Sequence, residues 1–305
     1  MKVALIGYGN VARALLRLLE EKGSAHPFEI SGIRRRGPHD TSLREFLIDS
    51  RAEAMVELST LNPETGEPAS SHIREALSLG LHVVTANKGP IAHAWHELSG
   101  DAARRGLRLL FESTVMDGAP VFNQIRHNMP RVQVLGFTGV LNSTSKLVIE
   151  AMERGASFEE GIEQAKALGV AEENHEYDTQ GWDSAAKTAA LANVLLDART
   201  TPAAVDRCGI HDFTGNRVRD LAREGKTVRI VSRGSRAGQA VHVSARAEIL
   251  PKTDVLAAVA GTSNIILFHT DRMGTFGTVS ISPGVDQTAY GIYVDLMELI
   301  RYPSL

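Results

Sequence analysis

The sequence predicts an α/β protein in two parts, an N-terminal Rossmann-type doubly wound parallel sheet followed by an α+β domain. Three observations lead there. An apolar run, Lys2–Ile6, passes directly into Gly7, Gly9 and Ala12 at GxGxxA spacing and then into the amphipathic stretch VARALLRLLEEKG, which closes at Gly23. Short apolar runs then alternate with helical periodicity as far as Pro120, the pattern of parallel strands joined by crossover helices. Beyond Pro120 the alternation stops, and β-rich segments collect late in the chain. The expected boundaries are residues 1–125, completed by 285–305, for the first domain and 126–284 for the second.

Taken in order, the glycine turn comes first. Gly7 permits the tight bend after the strand, Gly9 lets backbone approach a pyrophosphate, and small Ala12 allows the helix to pack closely, with the amides around Asn10 and Val11 aimed at the phosphates. Strands are expected at Phe28–Ile33, Ala54–Leu58, Leu81–Thr85 and Leu107–Phe111, and helices near Thr41–Asp49, Ala69–Leu79 and Ile91–Arg105. A ligand of such a sheet lies across the carboxyl ends of its strands. At the end of the second strand stand Arg34, Arg35 and Arg36 with no acid nearby. Arginine there suits a 2′-phosphate, so NADP(H) is the expected cofactor with NAD(H) accepted, the alternative being a solvated basic turn. Ser59 and Thr60 follow the third strand as further cofactor contacts or as turn caps. Lys88, in VVTANKG, ends the fourth strand, where an amine polarises a carbonyl or moves a proton, or simply opens a helix.

The second part predicts a strand at Arg131–Val140 and helices at Lys146–Arg154, Phe158–Leu168 and Asp183–Leu196. Strands Thr227–Ser232 and Val241–Ile249 follow, joined across a glycine-rich turn at Gly234–Gly238, then Asn264–His269 and Thr275–Ser280. A last helix, Gln287–Arg301, returns to the nucleotide domain. Between Gly169 and Lys187 the chain reads GVAEENHEYDTQGWDSAAK. Asp183 and Lys187 are four apart and share a helix face, so the carboxylate orients the amine and sets its charge. Glu172 and Asp178, in the polar approach, are placed to grip a substrate ammonium or hydroxyl. A plain surface ion pair is the competing reading of Asp183 and Lys187.

Composition narrows the function classes. A chain of 305 residues with 33 Lys+Arg against 36 Asp+Glu, net −3, has no charge excess for nucleic acid or an acidic membrane, and a small soluble ligand is expected. Cys208 is the single cysteine, which rules out an internal disulfide and multi-thiolate zinc, and fits a reducing compartment. No apolar stretch of about 18 residues occurs and the first strand is too short for a signal peptide, so a cytoplasmic location is expected. His93 and His96 are three apart on a predicted helix but lack further ligands and are read as surface residues. His175, inside the acidic segment, is read as structural.

With GxGxxA, TANK and the acidic segment in place, the chain resembles the homoserine dehydrogenase family over nearly its whole length. Glu112–Pro120 (ESTVMDGAP) is similar to the family's E-x-x-V-x-x-G-x-P turn, Gly139–Ile149 (GVLNSTSKLVI) to its GILNGTTNYIL, and Thr288-Ala289 with the helix after it to its closing segment. The resemblance implies NAD(P)-linked interconversion of aspartate semialdehyde and homoserine. It makes Lys187 and Lys88 the catalytic residues, with Asp183 orienting Lys187 and the substrate. Glu172 and Asp178 would hold the amino-acid end, and Thr144 lies near both ligands. Gly284 matches one glycine of the family's GAGG run. The resemblance also implies a monovalent cation, Na+ or K+, beside the turn of Glu112, Val115, Asp117 and Ala119, held mostly by backbone oxygens. It implies a homodimer formed through the substrate-binding second domain. No counterpart of the regulatory domain that some relatives append is expected, nor feedback control through it.

The departures fall around the substrate. Val170 replaces a tyrosine, Asn174-His175 an Asp-Pro, Ser143 a glycine and Lys146 an asparagine, while SPGVD at 282–286 replaces GAGG. The pocket is therefore expected to differ from a standard member's, Lys146 adding a charge. Two rival functions follow: a reductase of this fold acting on another small aldehyde or amino acid, and a dinucleotide sensor without catalysis. Retention of both lysines and Asp183 argues against the sensor.

Overall fold

The structure is a computed structural model, and it describes residues 1–23, 26–38, 40–171 and 175–301. In chain order the elements are β1 (Lys2–Ile6), α1 (Asn10–Lys22), β2 (Glu29–Arg34), α2 (Leu43–Ser50), β3 (Ala54–Glu57), α3 (Ala69–Ser78), β4 (His82–Thr85), α4 (Lys88–Arg104), β5 (Leu109–Leu110) and α5 (Phe122–Asn128). There follow β6 (Val134–Val140), α6 (Ser143–Glu153), α7 (Phe158–Ala167), α8 (Glu176–Thr179), α9 (Trp182–Leu195), β7 (Asp206–Cys208), α10 (Gly215–Arg223), β8 (Lys226–Ala237), β9 (Ala240–Pro251), β10 (Asn264–Thr270), β11 (Thr275–Ser280) and α11 (Val285–Arg301). Two compact units result. One holds Met1–Asn128 and the segment from Gly284 onward, the other Met129–Pro283.

In the first unit the sheet order is β2-β1-β3-β4-β5, every neighbour parallel. The expected doubly wound architecture is therefore present, and the chain reverses direction across the sheet between β1 and β3. That switch point opens a crevice at the strands' carboxyl ends. Val3, Leu5, Val56 and Val84 supply the buried strand faces, and α1 and α11 cover them with Leu15, Leu19, Ile292 and Leu296. Each such fully buried side chain contributes about 1.5–3 kcal/mol. Both helices carry apolar residues three and four apart, so a single face of each is apolar.

In the second unit a mixed six-stranded sheet runs β11-β10-β6-β8-β9-β7, antiparallel except for β7 against β9. Val148, Ile149 and Met152 of α6, Ile162 of α7, and Val218 and Leu221 of α10 bury Val228 and Ile230 of β8. The hairpin of β8 and β9 is longer than the sequence pattern implied. Pairing continues to Ala237 opposite Ala240, so the turn is Gly238-Gln239 and Gly234 lies inside the strand. The reason is packing: a β-carbon on Gly234 would run into the Phe137 ring.

Candidate active site

The glycine turn is built as its residue types require. Gly7 has φ +103°, and a β-carbon there would strike the Leu58 carbonyl of β3's exit. Gly9 caps α1 with open space above its α-carbon, and Ala12 is fully buried beneath the helix. Asn10 is exposed, its Oδ1 accepting from Arg13 at 2.6 Å, and Val11 packs partly against the core. These residues border a cleft of about 860 Å³ that is also lined by Arg34, Arg35, Ser59, Thr60 and His72.

The basic turn divides its labour. Arg34 donates to the Thr41 carbonyl at 2.8 Å and the Ser42 carbonyl at 3.4 Å and lies over the Phe46 ring, so its guanidinium clamps the segment leading to α2. Arg35 instead stacks on Tyr8 of the glycine turn, 4.2 Å from ring centroid to guanidinium carbon. Of the two, Arg35 is the arginine tied to the glycine turn. Ser59 is held at both backbone ends, by Glu57 Oε1 on its N–H (3.1 Å) and Asn87 Nδ2 on its carbonyl (3.1 Å), and its Oγ is buried with no partner among the described residues. Thr60 is exposed. Lys88 is half-buried in the first turn of α4, directly after Asn87, whose side chain accepts from the Gly89 N–H at 2.9 Å. Gly284 sits just before α11, its carbonyl accepting from Gln287 N–H at 3.1 Å, and it has room for a β-carbon.

The turn after β5 is tied through carboxylates. Glu112 is buried and accepts from the N–H groups of Val121, Phe122 and Asn123 at 2.5, 2.9 and 2.6 Å, while its own N–H donates to Asp295 of α11 at 2.9 Å. Burial pushes the Glu112 carboxyl up, opposed by those three amides, and lifts Asp295 to about 7. Val115 and Ala119 are buried in the same turn, and Asp117 holds φ +58°. The Glu112 carboxylate is thus engaged by three backbone amides, and Asp117 Oδ1 lies 3.5 Å from the Thr288 hydroxyl.

The acidic segment forms one connected cluster in the second unit. Lys187 Nζ lies 3.2 Å from Asp183 Oδ2, one turn back on α9, and donates to the Leu141 carbonyl at 2.6 Å. Asn142, which sequence reasoning left out of the site, is its hub. One side-chain amide nitrogen donates to Asp178 Oδ1 at 2.7 Å and to Asp183 Oδ2 at 3.0 Å, while Oδ1 caps α6 by accepting from Ser145 N–H at 2.8 Å. Thr144 Oγ1 donates to the other Asp178 oxygen at 3.0 Å. Two carboxylates this close and this buried oppose ionisation. Asp178 is raised to about 6, first by burial and then by the charge on Asp183, against the hydrogen bonds from Asn142 and Thr144 and the charge of Lys187. The signal for Asn142 was an Asn directly before a helical run, an N-cap pattern. Glu172 and Asn174 lie outside the described residues.

Lys146 departs from its expected place in the pocket. Only 1 % exposed, it donates to the Ser263 carbonyl, and burial brings it down to about 7, with Arg229 and Lys187 pushing the same way and Glu150 opposing. His175 packs edge-on to Phe158. His93 Nε2 lies 2.9 Å from the Pro63 carbonyl, and among the described residues no group of three or more His, Cys, Asp or Glu is placed to hold a metal ion.

Comparison with known proteins places the chain in a family. The profile of the homoserine dehydrogenase family matches residues 120–297, and that of the homoserine dehydrogenase NAD binding domain residues 7–112. The NAD(+)-dependent homoserine dehydrogenase of Pseudomonas canavaninivorans is 31% identical over 98% of this chain and 96% of its own. The homoserine dehydrogenase of Sulfurisphaera tokodaii is 32% identical over 99% of both chains. A crystal structure of the Thiobacillus denitrificans homoserine dehydrogenase shares the fold at TM-score 0.87, with 24% identity over 99% of this chain and 73% of that one. A glycine turn of dinucleotide-binding form and an Asp–Lys pair joined through Asn142 to a second carboxylate lie within a chain that family profiles and relatives match along nearly its whole length, and the protein is a member of the homoserine dehydrogenase family.

Proposed function

We propose that the chain interconverts L-homoserine and L-aspartate 4-semialdehyde using NADP(H), with NAD(H) as a second substrate. The observation that carries this reading is the Lys187–Asp183 pair, seated under Asn142 and beside Asp178. Gly7, Gly9, Asn10, Val11, Ala12, Arg35, Ser59 and Gly284 would hold the dinucleotide, and its bound nicotinamide supplies or accepts the hydride. Lys187 gives its proton to the oxygen of the aldehyde as the alcohol forms and takes it back in the reverse direction. Asp183 keeps that amine charged and aimed, and the Leu141 carbonyl fixes its second direction. Lys88 is assigned the stabilisation of negative charge that develops during the reaction. Asp178, Asp183 and Thr144, together with Glu172, bind the substrate's ammonium.

NADP(H) preference rests on Arg35 beside the glycine turn. A homodimer through the second unit, a cytoplasmic location, and Na+ or K+ on the carbonyls of Glu112, Val115, Asp117 and Ala119 complete the proposal. Steady-state oxidation of L-homoserine with each cofactor, with and without these ions, tests it. Turnover on homoserine with NADP+ favoured supports the reading. Turnover only on other C4 and C5 alcohols overturns the substrate, and nucleotide binding without turnover overturns catalysis.

A further inference from the structure

Glu57, the last residue of β3, is fully buried, and a carboxylate withdrawn from water needs partners. Its Oε1 accepts from Ser59 N–H at 3.1 Å and lies 3.2 Å from Nδ1 of His72; Oε2 is 3.5 Å from the Thr85 hydroxyl. A backbone amide and a hydroxyl account for two of these contacts, and the imidazole supplies the third. His72 projects from α3 with its side chain one-fifth exposed, and it lines the cleft shared with Gly7, Gly9 and Arg35. Because Glu57 engages Nδ1, Nε2 is the ring nitrogen left for the cleft, and it has no protein partner among the described residues. A buried carboxylate that fixes an imidazole's orientation and places its proton on the near nitrogen is a common way of preparing the far nitrogen for a ligand. The mechanism above makes no use of either residue.

We infer that His72, seated on Glu57, contacts the cofactor, its Nε2 meeting an oxygen of the dinucleotide's sugar–phosphate portion. As a neutral ring it accepts from a ribose hydroxyl; as an imidazolium it donates to a phosphate oxygen. Glu57 is then a positioning residue that acts through His72. This inference rests on the dinucleotide-binding part of the proposed function and adds a contact that the glycine turn does not supply.

The test is equilibrium binding to the full chain, titrating NADPH, NADH, ADP-ribose and ADP by fluorescence and calorimetry. His72→Ala raises the Kd of NADPH, NADH and ADP-ribose about tenfold, the size of one well-placed hydrogen bond. Glu57→Gln raises it in the same direction, and adding Glu57→Gln to His72→Ala raises it no further, since a residue acting through another has no effect once that residue is gone. A loss that extends to ADP puts the contact on the adenosine diphosphate; a loss confined to the longer ligands puts it on the second ribose. Should Glu57→Gln fail to fold, His72→Ala decides alone, its side chain being partly exposed. Unchanged affinity of His72→Ala for every probe, in a wild-type chain that binds NADH, overturns the inference. A wild-type chain that binds none of the probes overturns the nucleotide reading itself.

Discussion

Replacing Asn142 with alanine removes three interactions at once. The side-chain amide nitrogen bridges Asp178 and Asp183 at 2.7 and 3.0 Å, and the side-chain oxygen caps α6. Loss of the cap costs about 1 kcal/mol of stability. Loss of a hydrogen bond to a charged group costs about 1.5–3 kcal/mol, and here it falls on two buried carboxylates already near each other. Asp178 has a second donor in Thr144 but loses one of the two hydrogen bonds holding it ionised, so its titration moves upward from about 6 and more of it is protonated at neutral pH. If about 2 kcal/mol of that loss appears in substrate binding, KM for L-homoserine rises about 30-fold. Initial-rate kinetics across pH, with thermal unfolding as a control, separate the terms. Asn142→Asp keeps the cap oxygen but adds a third carboxylate to two that already oppose ionisation, so it should unfold earlier than Asn142→Ala at neutral pH, and the gap should narrow at about pH 4 as the carboxyls protonate. A KM within twofold of wild type, with the acid limb unmoved, would refute the hub role.

Further outcomes follow from neighbouring groups. In the wild-type chain kcat/KM for homoserine should fall as pH drops through about 6, as Asp178 takes up a proton and stops attracting the ammonium, and Asp178→Asn should lower the plateau and remove that limb. The stability sign is opposite: a carboxyl raised in the folded state costs stability once ionised, so fold stability declines between about 4 and 6 as pH rises and the cost is constant above. Lys146 is a lowered amine, so its cost is full below about 7 and vanishes above its unfolded value near 10. Lys146→Met should therefore stabilise the chain more at pH 6 than at pH 10 in denaturant titrations, by at most about 5 kcal/mol. Arg35→Ala should reduce the NADP+ to NAD+ ratio of kcat/KM about tenfold or more, whereas Arg34→Ala, which releases the Thr41–Ser42 carbonyls, should weaken both cofactors alike. Equal effects of the two arginines on the ratio would count against this division.

The parts of the molecule that were legible in the sequence are those in which one short segment carries its own reason. Gly7, Gly9 and Ala12 sit within six residues, and the geometry each needs is local. Asp183 and Lys187 meet because helix periodicity places them together, and the structure forms that pair. What escaped depends on segments far apart in sequence. Asn142 reaches Asp178 and Asp183 across 36 and 41 residues, and Glu57 meets His72 across a loop and a turn of helix. Helix α5 went unread because it buries only Phe122, and its first amides are satisfied by the distant Glu112. Helix α10 went unread for a similar reason, with Val218 and Leu221 as its only buried residues. Lys146 reads in sequence as a charge added to the pocket, since nothing local reveals that it is buried against the Ser263 carbonyl and near the charges of Glu150 and Arg229. Gly234 misled because a glycine near a turn is usually part of it, and only the Phe137 ring across the sheet explains the residue.

In the proposed function Lys187 is the group that carries the proton while homoserine is oxidised. Its most direct test is single-turnover and steady-state oxidation of L-homoserine by the wild-type chain and by Lys187→Ala, with cofactor binding measured on both. The expected result is cofactor affinity within about twofold and turnover lower by about 10²–10⁴-fold. A Lys187→Ala chain that binds cofactor and keeps most of its wild-type turnover would contradict it.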